Sequence, residues 1–166
     1  MILICFDGSD DSRSAIEHAA ELLAGQPATV LTVWEPFIDV LTHSSFGAVP
    51  VASGLDIEEI DSATRTQAES LAAEGARLAR QAGLDAQPRT HSQHSTVATA
   101  ILEEAEAVAA SASLLGSRGL TGVKSLLLGS VSHAVIQHAD RTVIVVPSPT
   151  IAAERQSERH ARQPTA

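Results

Sequence analysis

Glycine and basic residues concentrate in one stretch of the second half of the chain. Gly116-Ser117-Arg118-Gly119 opens this stretch, and Gly129-Ser130 closes it after nine intervening residues. No Asp or Glu occurs between Glu106 and Asp140, whereas Lys124 and the arginine of the first motif lie in that interval. Glycine lets backbone amides approach an anion closely, and a helix that begins near residue 130 directs its positive end to the same place. The stretch therefore predicts a polyphosphate site; the alternative is that the glycines only form tight turns.

The sequence also indicates the elements that must position this site. Five short apolar or β-branched runs alternate with longer amphipathic runs, which is typical of a single α/β domain with a five-stranded parallel sheet and helices on both faces. Right-handed crossovers leave few strand orders, and the flavodoxin-like (Rossmann-like) order 3-2-1-4-5 places the first strand centrally. Ligands of such sheets bind beyond the carboxyl ends of the strands, which points to the loops after strands 1 and 4. The predicted strands are 2–6, 29–34, 85–91, 112–115 and 142–146, and predicted helices follow Ser9 and cover 56–82, 96–109 and 131–139.

Two segments do not fit this alternation. Residues 35–54 contain prolines and glycines without a hydrophobic period, so the sequence predicts a long functional or mobile loop there. The last residues are polar and charged without a pattern. We expect one nucleotide-binding domain over 1–149 and a disordered tail over 150–166.

Composition argues against several classes of function. The 166 residues include 11 Lys and Arg against 20 Asp and Glu, a formal net charge of −9, whereas nucleic acids and anionic membranes select basic surfaces. No apolar stretch approaches the roughly 18 residues of a membrane span, and the first residues lack the features of a signal peptide. The single cysteine, Cys5, excludes an internal disulfide and agrees with a reducing compartment. We expect a cytoplasmic protein that binds neither nucleic acid nor membrane.

The residues around the glycine-rich stretch favour binding over catalysis. The loop after the first strand begins Asp7-Gly8-Ser9, and a carboxylate suits a ribose hydroxyl or a metal-bridged contact better than a phosphate. Neither a P-loop nor a G-x-G-x-x-G motif follows this strand. Cys5 is expected to be a small buried hydrophobe, and His91 and His94 lack a third metal ligand nearby. Without a poised general base, a phosphate cradle binds more readily than it catalyses, so we assign no catalytic residue and no metal ligand.

These motifs resemble the universal stress protein family. Its ATP-binding members carry Gly-x2-Gly-x9-Gly-(Ser/Thr), and Gly116, Gly119 and Gly129-Ser130 match this pattern in full. The opening Ile-Leu-Ile-Cys-Phe-Asp-Gly-Ser and the closing Gly-Ser-Val-Ser-His-Ala-Val-Ile through Val-Ile-Val-Val-Pro are also similar to the family. The resemblance covers residues 1–147 and is weakest over 37–54.

The resemblance implies a role for each matching residue. Asp7, with Gly8 beside it, would contact the ribose, and backbone groups of Val33 would bind adenine. The first two glycines and Arg118 would wrap the ribose and the first phosphates, while the last glycine, Ser130 and Val131 would hold the distal phosphates. The expected cofactor-binding set is Asp7, Gly8, Val33, Gly116, Arg118, Gly119, Gly129, Ser130 and Val131.

The resemblance also implies a function and an assembly. We expect a regulatory, stress-adaptive protein that binds ATP, AMP or another adenine nucleotide, with Mg²⁺ or Mn²⁺ carried by the phosphates. The last strand, Thr142–Val146, would form a homodimer. Two alternatives stay open: slow ATP hydrolysis or nucleotidyl transfer on the same loop, and a nucleotide-free interaction module that uses the last strand and residues 37–54.

Overall fold

Strands and helices alternate along the chain. The structure, a computed structural model, describes residues 1–43, 56–120 and 128–161. The strands are β1 (Ile2–Cys5), β2 (Pro27–Trp34), β3 (Asp85–Ser92), β4 (Ala112–Gly116) and β5 (Thr142–Val146). The helices are α1 (Asp10–Leu22), α2 (Phe37–His43), α3 (Ile57–Gln81), α4 (Val97–Ala107), α5 (Ser130–His138) and α6 (Pro149–Ala161).

The strands form one parallel sheet in the order β3-β2-β1-β4-β5, which confirms the predicted fold class. The central β1 pairs with β2 on one side and with β4 on the other, so that Ile4 lies opposite both Val30 and Leu114. All carboxyl ends of parallel strands lie at one edge of a sheet. The loops after β1 and β4 therefore meet at that edge, where the strand order reverses.

Apolar side chains cover both faces of this sheet. Ile2 and Ile4 of β1 belong to a core cluster with α1 and α3, whereas Leu3 belongs to a second cluster with α4 and α5. Successive strand residues point to opposite faces, so a strand buried on both faces must be apolar throughout. This explains the uninterrupted apolar run at the start of the sequence.

A short helix, α2, lies where the sequence predicts an irregular loop over 35–54. The Phe37 N–H donates to Asp61 Oδ1 of α3 at 2.7 Å, and the N–H groups of Asp39 and Val40 donate to the Pro36 carbonyl. A seven-residue helix fixed by a distant carboxylate has too few turns to show a hydrophobic period. Residues 44–55, the rest of the predicted loop, lie outside the described residues.

The structure also differs from the sequence-based prediction at the C-terminal end. Helix α6 covers Pro149–Ala161, where a disordered tail was expected over 150–166. Ser148 starts this helix: its carbonyl accepts the Ala152 N–H at 2.9 Å and its Oγ accepts the Ile151 N–H at 3.4 Å. Proline at the first helical position has a suitable fixed φ and needs no N–H partner. The division into a domain over 1–149 and a tail stays a prediction, and residues 162–166 lie outside the described part.

None of the helices in the described ranges combines the length and apolar character needed to cross a membrane.

Close packing of α3 on the sheet depends on a glycine in the middle of the helix. A Cβ built on Gly75 would lie 2.7 Å from the Phe6 ring and 2.8 Å from Val30 Cγ1. Both neighbours are buried in the core, so neither can move away without disturbing other contacts.

We predict that Gly75→Ala destabilises the protein by about 1–3 kcal/mol, because overpacking outweighs the gain in helix propensity of about 1 kcal/mol. Urea unfolding followed by circular dichroism measures the change. Ala73→Gly, on the exposed side of the same helix, is the control for propensity and should cost about 1 kcal/mol. An increase in the free energy of unfolding for Gly75→Ala would contradict the packing argument.

Candidate functional site

A cavity of about 410 Å³ opens at the carboxyl ends of β1, β2 and β4. This volume lies within the roughly 300–1,000 Å³ that is typical of small-molecule pockets. Apolar side chains form part of its wall, and glycines, serines, one carboxylate and one guanidinium group form another part. The apolar residues include Leu31, Val33, Val97 and Ile101, and the polar and glycine residues include Asp7, Ser12, Gly116, Arg118, Gly119, Gly129, Ser130 and Ser132.

The loop after β1 fixes the Asp7 carboxylate at this cavity. Asp7 Oδ1 accepts hydrogen bonds from the Ser9 backbone N–H at 3.0 Å and from Ser9 Oγ at 2.6 Å. Ser9 Oγ accepts the Ser12 N–H and caps α1, so the carboxylate is tied to the first turn of that helix. Gly8 has a φ of 81°, a conformation that favours glycine and lets the chain turn between strand and helix.

Ser117, which is fully buried, holds the loop after β4 in place. Its N–H donates to the Val146 carbonyl of β5 at 2.8 Å, and its carbonyl accepts the Gly129 N–H at 2.8 Å and Ser132 Oγ at 3.2 Å. Its own Oγ donates to Asp11 Oδ2 at 2.7 Å. Ser117 thus joins the beginning of the glycine-rich stretch to its end, to β5 and to α1.

Asp11 does not line the cavity, but it is hydrogen-bonded to a residue that does. The carboxylate is buried; Oδ2 also accepts the Arg118 N–H at 2.9 Å, and Oδ1 accepts the Ser148 N–H at 3.1 Å. Burial raises the pKa of this carboxyl, but the hydrogen bonds from Ser117, Ser148 and Arg118 together outweigh burial and lower its pKa below the ordinary value. Asp11 is therefore ionised and strongly hydrogen-bonded at neutral pH.

The N-terminus of α5 opens on the cavity without a side-chain cap. Each of α1, α3 and α4 has an N-cap side chain that accepts a backbone N–H, whereas the N-cap of α5 is Gly129. Ser130 and Val131, the first residues of α5, line the cavity. The first N–H groups of a helix lack intrahelical partners and carry a partial positive charge, so this terminus suits an anion.

Gly119 brings the two loops close together. A Cβ built at this position would lie 2.9 Å from Asp7 Oδ2, so any other residue would have to displace this carboxylate oxygen. Gly116 is constrained by the first turn of α1 instead. A Cβ built at Gly116 would lie 2.7 Å from Asp11 Cβ and 2.9 Å from the Ser12 backbone nitrogen. The first glycine accommodates α1, and the second leaves room beside the Asp7 carboxylate.

Cys5 lines the cavity, and it is not an ionised nucleophile. Burial, with a smaller effect of the Asp7 charge, raises the pKa of the thiol to about 12. The thiol is neutral at physiological pH and contributes to the cavity wall as a small apolar group.

The structure brings together eight of the nine predicted cofactor-binding residues: Asp7, Val33, Gly116, Arg118, Gly119, Gly129, Ser130 and Val131 all line the cavity. Gly8 is not part of the wall and shapes the turn after β1. Residues 121–127 of the glycine-rich stretch, with Lys124, lie outside the described residues. That these residues bind a nucleotide stays a prediction at this point.

Sequence analysis missed several residues of the site. Val97 and Ile101 of α4 line the cavity although neither is a predicted site residue, and both also pack in the core cluster on that face of the sheet. In the sequence Asp11 is only an acidic residue near the start of a predicted helix, and Ser117 is only a serine between two glycines. Neither pattern indicates a functional site. Their importance depends on a contact between residues 106 positions apart.

His91 and His94 pair with different carboxylates. His91 Nδ1 lies 3.0 Å from Glu104 Oε2, and His94 Nδ1 lies 3.3 Å from Asp39 Oδ2. Among the described residues, no group of three or more His, Cys, Asp or Glu side chains is arranged to hold a metal ion.

Comparison with known proteins identifies the family of this chain. The model of the universal stress protein family matches residues 1–147. This chain belongs to the universal stress protein family. Its relative in Bacillus subtilis (strain 168), the universal stress protein YxiE, is 30% identical over 145 residues, which cover 87% of this chain and 97% of YxiE.

Solved structures of similar fold include further universal stress proteins. The hypothetical protein MJ0577 is 20% identical in sequence, and its structure matches this one with a TM-score of 0.69. The match covers 88% of this chain and 94% of MJ0577. The Archaeoglobus fulgidus universal stress protein in complex with dAMP is 21% identical, covers 87% and 95% of the two chains, and has a TM-score of 0.56. A family protein from Arabidopsis thaliana with AMP bound is 16% identical, covers 88% and 90%, and has a TM-score of 0.59.

We predict that Asp11→Asn lowers the free energy of unfolding at pH 7 by about 1–3 kcal/mol, because an amide offers one acceptor oxygen in place of two. The folded-state pKa of Asp11 is lowered, so its contribution is fully present above the unfolded value of about 3.9 and is lost as pH falls through the folded value. The difference between the wild type and Asp11→Asn should therefore shrink in acid.

Urea unfolding between about pH 7 and pH 3 measures this difference. Asp10→Asn makes the same chemical change at the exposed neighbouring residue and should leave the free energy of unfolding within about 0.5 kcal/mol of the wild type at pH 7. A difference for Asp11→Asn that stays constant down to the lowest pH would refute the assignment of an ionised, hydrogen-bonded carboxylate.

Proposed function

We propose that this chain is a regulatory protein that binds an adenine nucleotide, ATP above all, in the cavity at the carboxyl ends of β1 and β4. The observation that carries the proposal is the uncapped N-terminus of α5, which opens on the same cavity as Asp7 and the glycines of the loop after β4. A helix N-terminus beside glycine-rich backbone is a favourable place for phosphate groups.

The remaining surfaces of the cavity suit the other parts of a nucleotide. The apolar side chains of Leu31, Val33 and Val97 fit the faces of an adenine base, and the Asp7 carboxylate accepts hydrogen bonds from ribose hydroxyls. The solved relatives with dAMP and AMP bound support this choice, because both ligands contain an adenine base, a sugar and a phosphate. A Mg²⁺ or Mn²⁺ ion would enter with the phosphates, since magnesium is commonly bound through substrate phosphates and few carboxylates.

The described carboxylates and thiol of the site favour binding over rapid turnover. Asp7 Oδ1 is occupied by two hydrogen bonds from Ser9, and Asp11 is buried with a lowered pKa, which makes it a weak base. The Cys5 thiol has a pKa of about 12 and is a poor nucleophile at neutral pH. We therefore propose that nucleotide occupancy sets the state of the protein and that its regulatory role follows from that state.

We predict that the wild type binds ATP with Mg²⁺ at micromolar affinity in calorimetric titration and that Gly119→Val binds at least about tenfold more weakly. The valine would displace the Asp7 carboxylate and fill the space above it. Gly119 is exposed and its φ is not in the left-handed region, so the substitution should leave the melting temperature nearly unchanged.

Ala73→Val, on the exposed side of α3, adds the same side chain away from the cavity and serves as the matched control, with unchanged affinity expected. A wild type that shows no heat at millimolar ATP, AMP and adenosine would overturn the proposed function and favour the interaction module. Release of inorganic phosphate above the protein-free rate, lost with Gly119→Val, would instead assign slow hydrolysis to the site.

We also propose that β5 forms the homodimer contact. β5 is an edge strand, and its central residues Val143, Ile144 and Val145 are only half-buried in the single chain. An exposed apolar edge strand presents unpaired backbone groups that favour pairing with another strand. Analytical ultracentrifugation should find twice the monomer mass at micromolar concentration, and a single species of monomer mass would contradict the dimer.

A further inference from the structure

We propose that Asp11 is a positioning residue for the phosphate-binding loop, and this inference rests on the proposed function. Asp11 does not line the cavity, so it acts on a bound nucleotide through other residues. Its buried carboxylate holds the start of the loop after β4, and through Ser117 it also holds the start of α5. The loop thereby keeps the shape that receives phosphates.

The carboxylate joins three parts of the chain that are far apart in sequence. It accepts hydrogen bonds from Ser117 Oγ and the Arg118 N–H in the loop after β4, and from the Ser148 N–H between β5 and α6. Asp11 itself lies in the first turn of α1, where the positive end of the helix dipole favours its negative charge. Charge-assisted hydrogen bonds of this kind are about twice as strong as neutral ones.

The contacts of Ser117 extend this effect to the phosphate end of the cavity. Its carbonyl accepts the Gly129 N–H and Ser132 Oγ, so the orientation of its peptide group determines where α5 begins. The Arg118 N–H is directed to Asp11, and this places the Arg118 side chain in the cavity wall. Loss of the carboxylate would release both the guanidinium group and the helix N-terminus from their fixed positions.

Packing leaves this arrangement little freedom. Gly116 allows the first turn of α1 to contact the end of β4, since a Cβ there would lie 2.7 Å from Asp11 Cβ. On the other side, Arg155 Nη2 of α6 lies 3.4 Å from Ser117 Oγ. The carboxylate is thus enclosed by α1, β4 and the start of α6, and its residue is 4% exposed.

The negative charge of Asp11 also acts directly on bound phosphates, and this effect on affinity is opposite in sign to that of positioning. The experiment must separate the two effects. A buried negative charge near bound phosphates repels them, so a neutral side chain at residue 11 would strengthen nucleotide binding if direct electrostatics dominated. If positioning dominates, the neutral variant binds more weakly. The sign of the change in affinity therefore decides between the two effects.

The test compares ATP, AMP and adenosine binding to the wild type and to Asp11→Asn by calorimetry. We expect Asp11→Asn to weaken ATP and AMP binding roughly tenfold or more and to change adenosine affinity less than about threefold. A general loss of stability would weaken the binding of all three ligands alike. A misplaced loop would weaken the contacts with phosphate and would therefore affect ATP and AMP but not adenosine. Ser117→Ala, which removes one donor to the carboxylate, should show a smaller effect of the same sign and serves if Asp11→Asn fails to fold.

Glu104→Gln is the matched control, because Glu104 is a buried carboxylate that pairs with His91 and Arg89 and does not line the cavity. Its affinities for all three ligands should equal those of the wild type. Equal or tighter ATP binding by Asp11→Asn, or equal weakening of ATP and adenosine, would overturn the positioning role while leaving the proposed function intact. Absence of binding by the wild type would instead overturn the proposed function and this inference with it.

Discussion

The shape of the cavity depends on the hydrogen bonds that surround Ser117. A loop that leaves a buried strand carries backbone groups with no sheet partner, and such groups must find partners elsewhere when water is excluded. Ser117 satisfies its N–H with β5, its carbonyl with the start of α5, and its hydroxyl with Asp11. These bonds place a strand end, a loop and a helix N-terminus at fixed positions around one buried residue.

The proposed phosphate site lies in an acidic protein whose charges are unevenly placed along the sequence. The formal net charge is −9, yet no acidic residue occurs between Glu106 and Asp140, the interval that contains the glycine-rich stretch. Interactions between exposed charges fall off over about 8 Å at physiological ionic strength, so charges close to the site matter more than the net charge. In the described cavity wall the Asp7 carboxylate is matched by the Arg118 guanidinium group. The nearest buried negative charge, Asp11, is compensated by three hydrogen-bond donors and by the N-terminus of α1.

The strand order was predictable because the alternation of strands and helices and the right-handed crossovers between parallel strands leave few possible orders. The first strand was predicted to be central, and β1 lies between β2 and β4, buried on both faces as its apolar run requires. The helices α2 and α6 were not predicted. The first is fixed by the distant Asp61 carboxylate, whereas the second has a local Ser148-Pro149 start signal that the polar composition of the segment obscured. Asp11 could not be identified from the sequence, because its partners come together only when β4, β5 and α1 are packed.

The glycines of the motif differ in what they do physically, and the sequence pattern alone does not separate them. At Gly116 a Cβ would lie 2.9 Å from the backbone of α1, so this glycine serves the packing of the protein itself, whereas at Gly129 a Cβ would lie 3.3 Å from the Ser117 carbonyl and would need only a small adjustment. Gly119 is exposed, and of the residues that the structure describes, the end of the Asp7 side chain is what a Cβ there would meet. A glycine at 116 is thus expected in any chain with this packing of α1 against β4, whether or not it binds a ligand. The glycine at 119 leaves open space beside the Asp7 carboxylate, and this is the space that the proposed nucleotide needs.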